Sequence, residues 1–175
     1  VAHLTRLVDD LMDVSRITTG KIELEHAPLE LNTLVQVAVD SMRSTFEQYG
    51  HDIEVRPAPQ PIFIEGDAVR LTQVVVNLLS NAAKYTAPKG RIEVEVSRNH
   101  SVVRLDVIDN GIGMSESLLE RVFDPFVQGE RALDRAEGGL GIGLTLVKKL
   151  VELHGGSVLA SSAGPGRGAK FTITL

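Results

Sequence analysis

Hydrophobic residues recur along this chain at two spacings, one typical of helices and the other of strands. Intervals of three and four residues predict helices over 1–19, 32–48, 67–85 and 143–154, with a short one near 115–121. Alternation predicts strands over 21–25, 53–56, 62–65, 91–97, 103–108, 157–160 and 170–175. Helices separated by pairs of strands indicate an α/β fold of the α+β kind, a two-layer sandwich with one mixed sheet and helices on one face.

The first predicted helix carries an apolar stripe that is too wide to face water. Its members recur every three or four residues: Leu4, Leu7, Leu11 and Val14. This spacing fits the seam of a helical bundle, and it would also fit docking onto the chain's own core. We therefore expect a bundle helix in front of the sheet domain.

Polar and small residues mark the ends of the next helices. Asn32 and Asp67 each stand before an apolar helical run, where a short polar side chain can accept from free backbone N–H groups. Gly50 follows the second helix, where glycine permits the left-handed turn that ends many helices. We expect Asn32 and Asp67 to be N-caps.

Composition limits what the chain can be. With 175 residues, 43% hydrophobic and 23% charged, it has the size and composition of one globular domain. It has no cysteine, which excludes disulfides and thiolate metal sites, and a net charge of −5 argues against a nucleic-acid partner. No apolar run approaches the roughly 20 residues that cross a bilayer. Because residue 1 is Val, we expect a piece of a longer protein.

A polar stripe on the third helix suggests chemistry. The stripe follows the helical repeat through Gln73, Asn77, Asn81 and Lys84. Asparagine is a poor helix former, so two of them one turn apart suggest a function, although a solvated face is the alternative. Amide oxygens can bind Mg²⁺ beside phosphate oxygens.

Two glycine-containing segments could approach a ligand closely. Asp109 directly follows a predicted strand and precedes Gly111 and Gly113, which makes either a turn or an acceptor carboxylate beside a flat ring. Residues 138–143 contain four glycines and run into a helix N-terminus. Such a segment favours phosphate binding, and a flexible hinge would look similar.

Together these segments resemble the motifs of sensor histidine kinases. Residues 77–85 (NLLSNAAKY) look like their N box, and Asp109-x-Gly111-x-Gly113 like their first glycine box. Phe123-Asp124-Pro125-Phe126 is similar to their F box, and Gly139-x-Gly141-x-Gly143 to their second glycine box. Residues 11–16 and 20–22 resemble the end of the second dimerisation helix and its link to the catalytic domain. The resemblance implies the Bergerat fold, with residues 1–19 as dimerisation helix and 20–175 as catalytic ATP-binding domain.

The resemblance also implies a role for each matching residue. Asn81 would bind Mg²⁺ with support from Asn77, Lys84 would contact the phosphates, and Asp109 would accept the adenine amino group. Phe123 and Phe126 would hinge and seal a lid that closes on the phosphates. The full set expected to bind ATP is Asn77, Asn81, Lys84, Tyr85, Asp109, Gly111, Gly113, Phe123, Phe126, Gly139, Leu140, Gly141, Gly143 and Leu144, with Asn77 and Lys84 as the catalytic residues.

Asn77 favours phosphoryl transfer over hydrolysis. The relatives that hydrolyse ATP carry a glutamate at this position, and a neutral amide cannot act as a general base. We therefore expect a protein-histidine kinase, with a nucleotide-binding regulatory module or an anti-sigma-type serine kinase as the alternatives. His3 lacks the acidic residue and the proline that follow the family's acceptor histidine. The chain should then need a separate dimerisation hairpin as phosphoacceptor, and no autophosphorylation is expected without it.

The resemblance also implies partners and a location, and the sequence departs from the family pattern at two places. The resemblance implies a homodimer in the full-length protein, a response-regulator receiver domain as partner, and work in the cytoplasm whether or not a membrane sensor precedes residue 1. This segment itself is expected to contact no membrane.

Ala169 stands where the family often has threonine, so a hydroxyl near the adenine is lost. Residues 127–137 are highly charged, and we expect a loop there in the absence of nucleotide.

Overall fold

The structure is a computed structural model that describes residues 12–13, 22–128 and 140–175. Of the helix predicted over 1–19, only Met12 and Asp13 lie in this part, and both are helical. The remainder of that prediction falls outside the described residues. None of the described helices has the length and apolar character needed to span a bilayer.

Five strands form a mixed sheet in the order β2-β4-β5-β7-β6. The first pair, β2 and β4, is parallel, and the other neighbours are antiparallel. A separate antiparallel pair is formed by β1 and β3. The strand bounds are β1 Ala27–Glu30, β2 Asp52–Arg56, β3 Phe63–Gly66, β4 Arg91–Asn99, β5 Val102–Asp109, β6 Ser157–Ser161 and β7 Ala169–Thr174.

The described helices pack on one face of this sheet. Their bounds are α1 Leu31–Ser41, α2 Arg43–Tyr49, α3 Ala68–Tyr85, α4 Glu116–Leu119 and α5 Gly143–Leu153. The long helix α3 contacts both α1 and α5, and its apolar side joins theirs in one buried cluster with the inward residues of the sheet. The predicted two-layer fold, a mixed sheet with helices on one face, is confirmed.

The sheet has one apolar face and one charged face, as its alternation predicts. Along β4, Ile92 and Val94 are fully buried in the core, whereas Arg91 and Glu93 point to the other face. There, Arg56 of β2 pairs with Glu93 at 3.0 Å. Because side chains alternate between the two faces of a strand, this pattern by itself shows which face of the sheet packs against the helices.

The strand predicted over 21–25 is wrong, because the edge strand lies further along. Residues 22–26 form no ladder, and the backbone N–H of Glu25 donates instead to the carboxylate of Asp67 at 3.1 Å. The strand begins at Ala27, where β3 supplies a pairing partner. Alternation alone could not show which stretch would find that partner.

The second predicted helix begins with a different cap and is interrupted. The Glu30 carboxylate, rather than Asn32, accepts from the first free N–H groups, those of Asn32 at 3.0 Å and Thr33 at 2.7 Å. The Asn32 side chain instead exchanges two hydrogen bonds with the backbone of Ala58. The helix breaks at Met42, whose N–H turns back to the Val39 carbonyl at 3.0 Å.

The start of α3 is fixed by Asp67, as predicted. Its carboxylate accepts from the N–H groups of Val69 at 3.0 Å and Arg70 at 3.1 Å. Burial raises the pKa of Asp67, but the hydrogen bonds that its carboxylate accepts from backbone N–H groups outweigh burial and lower the pKa overall. The N–H of Asp67 donates to Nε2 of His154, whose Nδ1 lies 2.7 Å from the Leu150 carbonyl. These contacts of His154 join the start of α3 to the end of α5.

Candidate nucleotide-binding site

A cavity of about 640 Å³ opens where α3, α5 and the sheet meet. Its lining comes from Met42 and α2, the second half of α3, the end of β5, residues between 112 and 128, the start of α5 and the start of β7. The residues from the predicted set that line it are Asn77, Asn81, Lys84, Tyr85, Asp109, Gly113, Leu140, Gly141, Gly143 and Leu144. Predicted residues up to 67 positions apart in the chain, from Asn77 to Leu144, are thus brought to one concave site.

The polar stripe of α3 faces this cavity. Asn77 is buried, Asn81 is partly buried one turn further on, and both line the cavity. Lys84 Nζ lies 5.0 Å from the centre of the Tyr85 ring, a cation–π arrangement at the cavity wall. The solvated-face alternative is therefore wrong for Asn77, which is buried. Gln73 lies outside the cavity lining and bonds to Asp13 at 2.9 Å.

Asp109 lies at the end of β5, opposite Ile92 on one side and Ala169 on the other. Its carboxylate is buried and accepts the N–H of Gly111 at 2.9 Å. Burial raises the pKa of this carboxyl, and the backbone N–H groups of Gly111 and Ala169 offset part of the rise. A buried acceptor aimed into a cavity suits recognition of an N–H donor on a ligand.

Gly111 and Gly141 are required by the fold around the cavity. A Cβ on Gly111 would lie 2.3 Å from the Tyr85 carbonyl oxygen, so the loop can pass the end of α3 only without a side chain. Gly111 itself does not line the cavity. Gly141 has φ +73°, and a Cβ there would lie 2.9 Å from the Val127 carbonyl oxygen.

Gly143 differs from these glycines because none of the described residues accounts for its missing side chain. A Cβ there would meet no atom of the described residues within 4 Å, and Gly143 lines the cavity. It opens α5, where no side chain of the described residues caps the first N–H groups. Free N–H groups at a helix start favour an anion such as phosphate. This space and these donors fit the phosphates of a nucleotide.

The two phenylalanines of the predicted set do not line the cavity. Phe123 packs edge-on against Phe171, with ring centres 6.3 Å apart, and Phe126 is exposed with φ +64°. Their neighbours Val122 and Val127 line the cavity instead. The lid role expected for Phe123 and Phe126 stays a prediction, and Gly139 lies outside the described residues.

One wall of the cavity was not predicted from the sequence. Helix α2 and the residue before it contribute Met42, Thr45, Gln48 and Tyr49, which belong to no glycine or asparagine motif. Tyr49 stacks on buried His51, with ring centres 5.5 Å apart and planes inclined by 19°. The only indication of this wall in the sequence is an aromatic residue at the end of a helix, which core packing would explain equally well.

The residues present also fit a magnesium nucleotide. The described residues hold no cluster of three acidic or histidine side chains that could bind a metal by itself. Mg²⁺ usually takes one or two protein ligands beside phosphate and water oxygens, so the amides of Asn77 and Asn81 suffice when phosphates supply the others. The side-chain amides of Asn77 and Asn81 in the cavity match that requirement.

Comparison with known proteins agrees with this site. Residues 66–175 match the family described as Histidine kinase-, DNA gyrase B-, and HSP90-like ATPase. The chain is 34% identical over 175 residues to the signal transduction histidine-protein kinase BaeS of Escherichia coli, covering 100% of this chain and 37% of BaeS. It is 34% identical over 175 residues to the circadian input-output histidine kinase CikA of Synechococcus elongatus, covering 99% of this chain and 23% of CikA.

A solved structure is similar in fold as well as in sequence. Full-length ShkA in complex with AMPPNP matches with a TM-score of 0.85 and 31% identity, over 98% of this chain and 35% of that one. This chain therefore spans between about a quarter and two fifths of the length of the relatives named above. The matched region contains the asparagines of α3, Asp109 and the start of α5, and the chain belongs to the histidine kinase-, DNA gyrase B- and HSP90-like ATPase family.

Proposed function

We propose that this chain is the catalytic ATP-binding part of a two-component sensor histidine kinase. Residues 20–175 would form the catalytic domain, and residues 1–19 the end of the second dimerisation helix. The observation that carries the proposal is the single cavity in which the amides of α3, the Asp109 carboxylate and the start of α5 meet. Similarity to BaeS and CikA along almost the whole chain supports it.

Asp109 would select adenine. Its buried carboxylate can accept a hydrogen bond from the exocyclic amino group of adenine, whereas guanine offers a carbonyl at the corresponding position and cannot donate there. Gly111 holds that carboxylate through its N–H at 2.9 Å. The complex of ShkA with AMPPNP supports an adenine nucleotide as ligand.

The phosphates would lie between α3 and the start of α5. Lys84 supplies a positive charge on one side, and the N–H groups that follow Gly141 supply donors on the other. Asn81, supported by Asn77, would hold Mg²⁺, which neutralises part of the phosphate charge when it is bound. These side chains position the nucleotide and leave the terminal phosphate for an acceptor.

The reaction would transfer the terminal phosphoryl group to a histidine on a dimerisation hairpin absent from this chain. The unprotonated ring nitrogen forms a bond to the γ-phosphorus, the bond from that phosphorus to the bridging oxygen breaks, and its electron pair leaves with ADP. The ring then loses the proton on its other nitrogen. Asn77 cannot deprotonate water, so hydrolysis has no general base at this position.

The hairpin and a response-regulator receiver domain are the proposed protein partners. In the full-length protein the hairpin would make a homodimer, and the receiver domain would take the phosphoryl group from the histidine. We place this part of the protein in the cytoplasm, where ATP is available. Because the acceptor is missing, the chain alone should bind ATP and remain unlabelled.

The test is to mix the chain with γ-labelled ATP, Mg²⁺ and a separate dimerisation hairpin carrying the acceptor histidine. Acid-labile label on the hairpin, and none on the chain alone, is the expected result. A hairpin with the acceptor histidine replaced by glutamine is the matched control. Tight ATP binding without transfer to any cognate hairpin would overturn the kinase assignment in favour of a regulatory module. Acid-stable label on a serine would favour the anti-sigma type.

A further inference from the structure

Thr145, in the first turn of α5, makes an unusual hydrogen bond for a helical threonine. Its buried hydroxyl donates to the Phe123 carbonyl at 3.0 Å, across 22 positions of the chain. A threonine in a helix commonly donates to the carbonyl four residues back, as Thr72 does to Ala68 in α3 at 2.7 Å. For Thr145 that carbonyl belongs to Gly141, which accepts the N–H of Phe126 at 3.0 Å.

These two bonds form a clasp between two segments. One segment is the phenylalanine turn, residues 123–126, and the other is the glycine segment, residues 140–145. The clasp holds the turn at both ends, through the Phe123 carbonyl and the Phe126 N–H. Only the Thr145 bond depends on a side chain, so it is the bond that a substitution can remove.

Both segments continue into the wall of the cavity. Val127 and Gln128 follow the phenylalanine turn and line the cavity, and so do Gly141 and Gly143 of the glycine segment. Phe123 also contacts Phe171 edge-on, and Phe171 is a buried residue of the same wall. The clasp therefore sets the start of α5 relative to the sheet side of the cavity.

We infer that Thr145 is a positioning residue for the triphosphate, acting through Phe123 and the start of α5. This inference rests on the proposed binding of ATP. Thr145 itself is not among the residues that line the cavity, so its hydroxyl acts on the protein and not on the nucleotide. When the hydroxyl is removed, the phenylalanine turn loses one of its two hydrogen bonds to the glycine segment, and the N–H groups at the start of α5 lose their orientation toward the phosphates. The loss should grow with the number of phosphates on the ligand.

The test compares three variants of the whole chain, Thr145→Val, Thr145→Ser and Thr72→Val, by titration calorimetry with MgATP, MgADP and AMP. We expect Thr145→Val to weaken MgATP binding about fivefold to tenfold, which is the scale of one lost hydrogen bond. AMP binding should weaken less than twofold. Thr145→Ser should bind like the original chain, because it keeps the hydroxyl. Thr72→Val, which removes a local hydroxyl away from the cavity, should leave all three affinities unchanged.

Transfer to the separate hairpin gives a second measurement. Thr145→Val should raise KM for ATP by the same factor while kcat at saturating ATP changes less than twofold. Unchanged MgATP affinity, or an equal loss for AMP and MgATP, would overturn the inference. If Thr145→Val does not fold, the comparison of Thr145→Ala with Thr145→Ser decides in the same way. Failure of the original chain to bind MgATP would instead overturn the proposed function.

Discussion

The carboxylate of Asp13 lies 2.7 Å from the guanidinium of Arg70 and closes a triangle with Gln73. The Gln73 amide donates to the same carboxylate oxygen at 2.9 Å, and its own oxygen accepts from Arg70 at 2.9 Å. Asp13, which precedes the sheet domain, is therefore attached to the first turns of α3. The same helix carries the cavity residues at its other end.

Arg70→Met should lower the free energy of unfolding by about 1 kcal/mol, because a partly buried charged hydrogen bond is lost and, among the described residues, only Gln73 still bonds to Asp13. Urea unfolding at low and at high salt measures the change. A double-mutant cycle with Asp13→Asn should return a coupling energy of similar size.

The matched control for this prediction is Arg43→Met. Arg43 pairs with Asp40 at 2.6 Å, but both side chains are largely exposed. Solvent screens such a pair, so no measurable change in stability is expected. Equal effects of the two substitutions would contradict the importance of the Asp13 triangle.

Asp109→Asn should weaken ATP binding by more than about 1 kcal/mol, because the charged acceptor of the adenine amino group becomes a neutral amide. The same substitution should raise the stability of the nucleotide-free chain at neutral pH. Burial raises the pKa of Asp109, which means that its ionised form is unfavourable in the folded state. Calorimetric titration and urea unfolding measure the two opposite effects.

The pH dependence of stability follows from the same shift. Between the unperturbed pKa of 3.8 and the raised pKa of the folded state, the folded chain holds the Asp109 proton more often than the unfolded chain. The Asp109 contribution to stability therefore falls as pH rises through that window and is constant above it. A difference between the original chain and Asp109→Asn that does not grow with pH across the window would contradict a raised pKa.

Asn81→Ala should abolish the dependence of ATP binding on Mg²⁺ while leaving the melting temperature within a few degrees of the original. The residue is partly buried at the cavity and is our proposed metal ligand. Titration of ATP with and without Mg²⁺ measures the effect. Asn99→Ala, an exposed asparagine at the end of β4, is the control and should bind as before. Metal dependence that survives in Asn81→Ala would contradict the assignment.

Gly143→Ala and Gly141→Ala should separate ligand binding from folding. A Cβ on Gly143 would meet no atom of the described part of the chain within 4 Å, and the residue lies in a helix, so stability should rise by about 0.5–1 kcal/mol while ATP binding weakens. Gly141→Ala forces φ +73° on a residue with a side chain, which costs about 1–2 kcal/mol. The new Cβ would also lie close to the Val127 carbonyl oxygen. Thermal unfolding and ATP titration of both variants measure the contrast. Unchanged ATP affinity in Gly143→Ala would show that the phosphates lie elsewhere.

The sequence predicted the elements whose signals are local and strong. The helix expected over 67–85 is α3, and its start is capped by Asp67 as expected. The asparagine stripe, Asp109 and the glycines of the second box were found because helix faces, strand ends and glycine spacing can be recognised without knowing the fold. All of them are elements whose own residues carry the information.

The wrong predictions concern features that depend on contacts with residues far away in the chain. Glu30 caps α1 because the β1–β3 pair places it there, and Asn32 is taken by the backbone of Ala58, 26 positions away. The contribution of Tyr49 to the cavity depends on how α2 packs beside α3. Such choices are made by long-range contacts, which no local pattern contains.

The sequence by itself determined the layers of this protein, because alternation and helical periodicity assign each residue to a face, and its motifs predicted the binding chemistry. Only the tertiary structure decided which of those residues share a cavity. It placed Asn77, Asp109 and Gly143 together, kept Phe123 out of the lining, and joined Thr145 to the phenylalanine turn. The reason is that packing of α3 between α1 and α5 sets distances between segments that are remote in the chain.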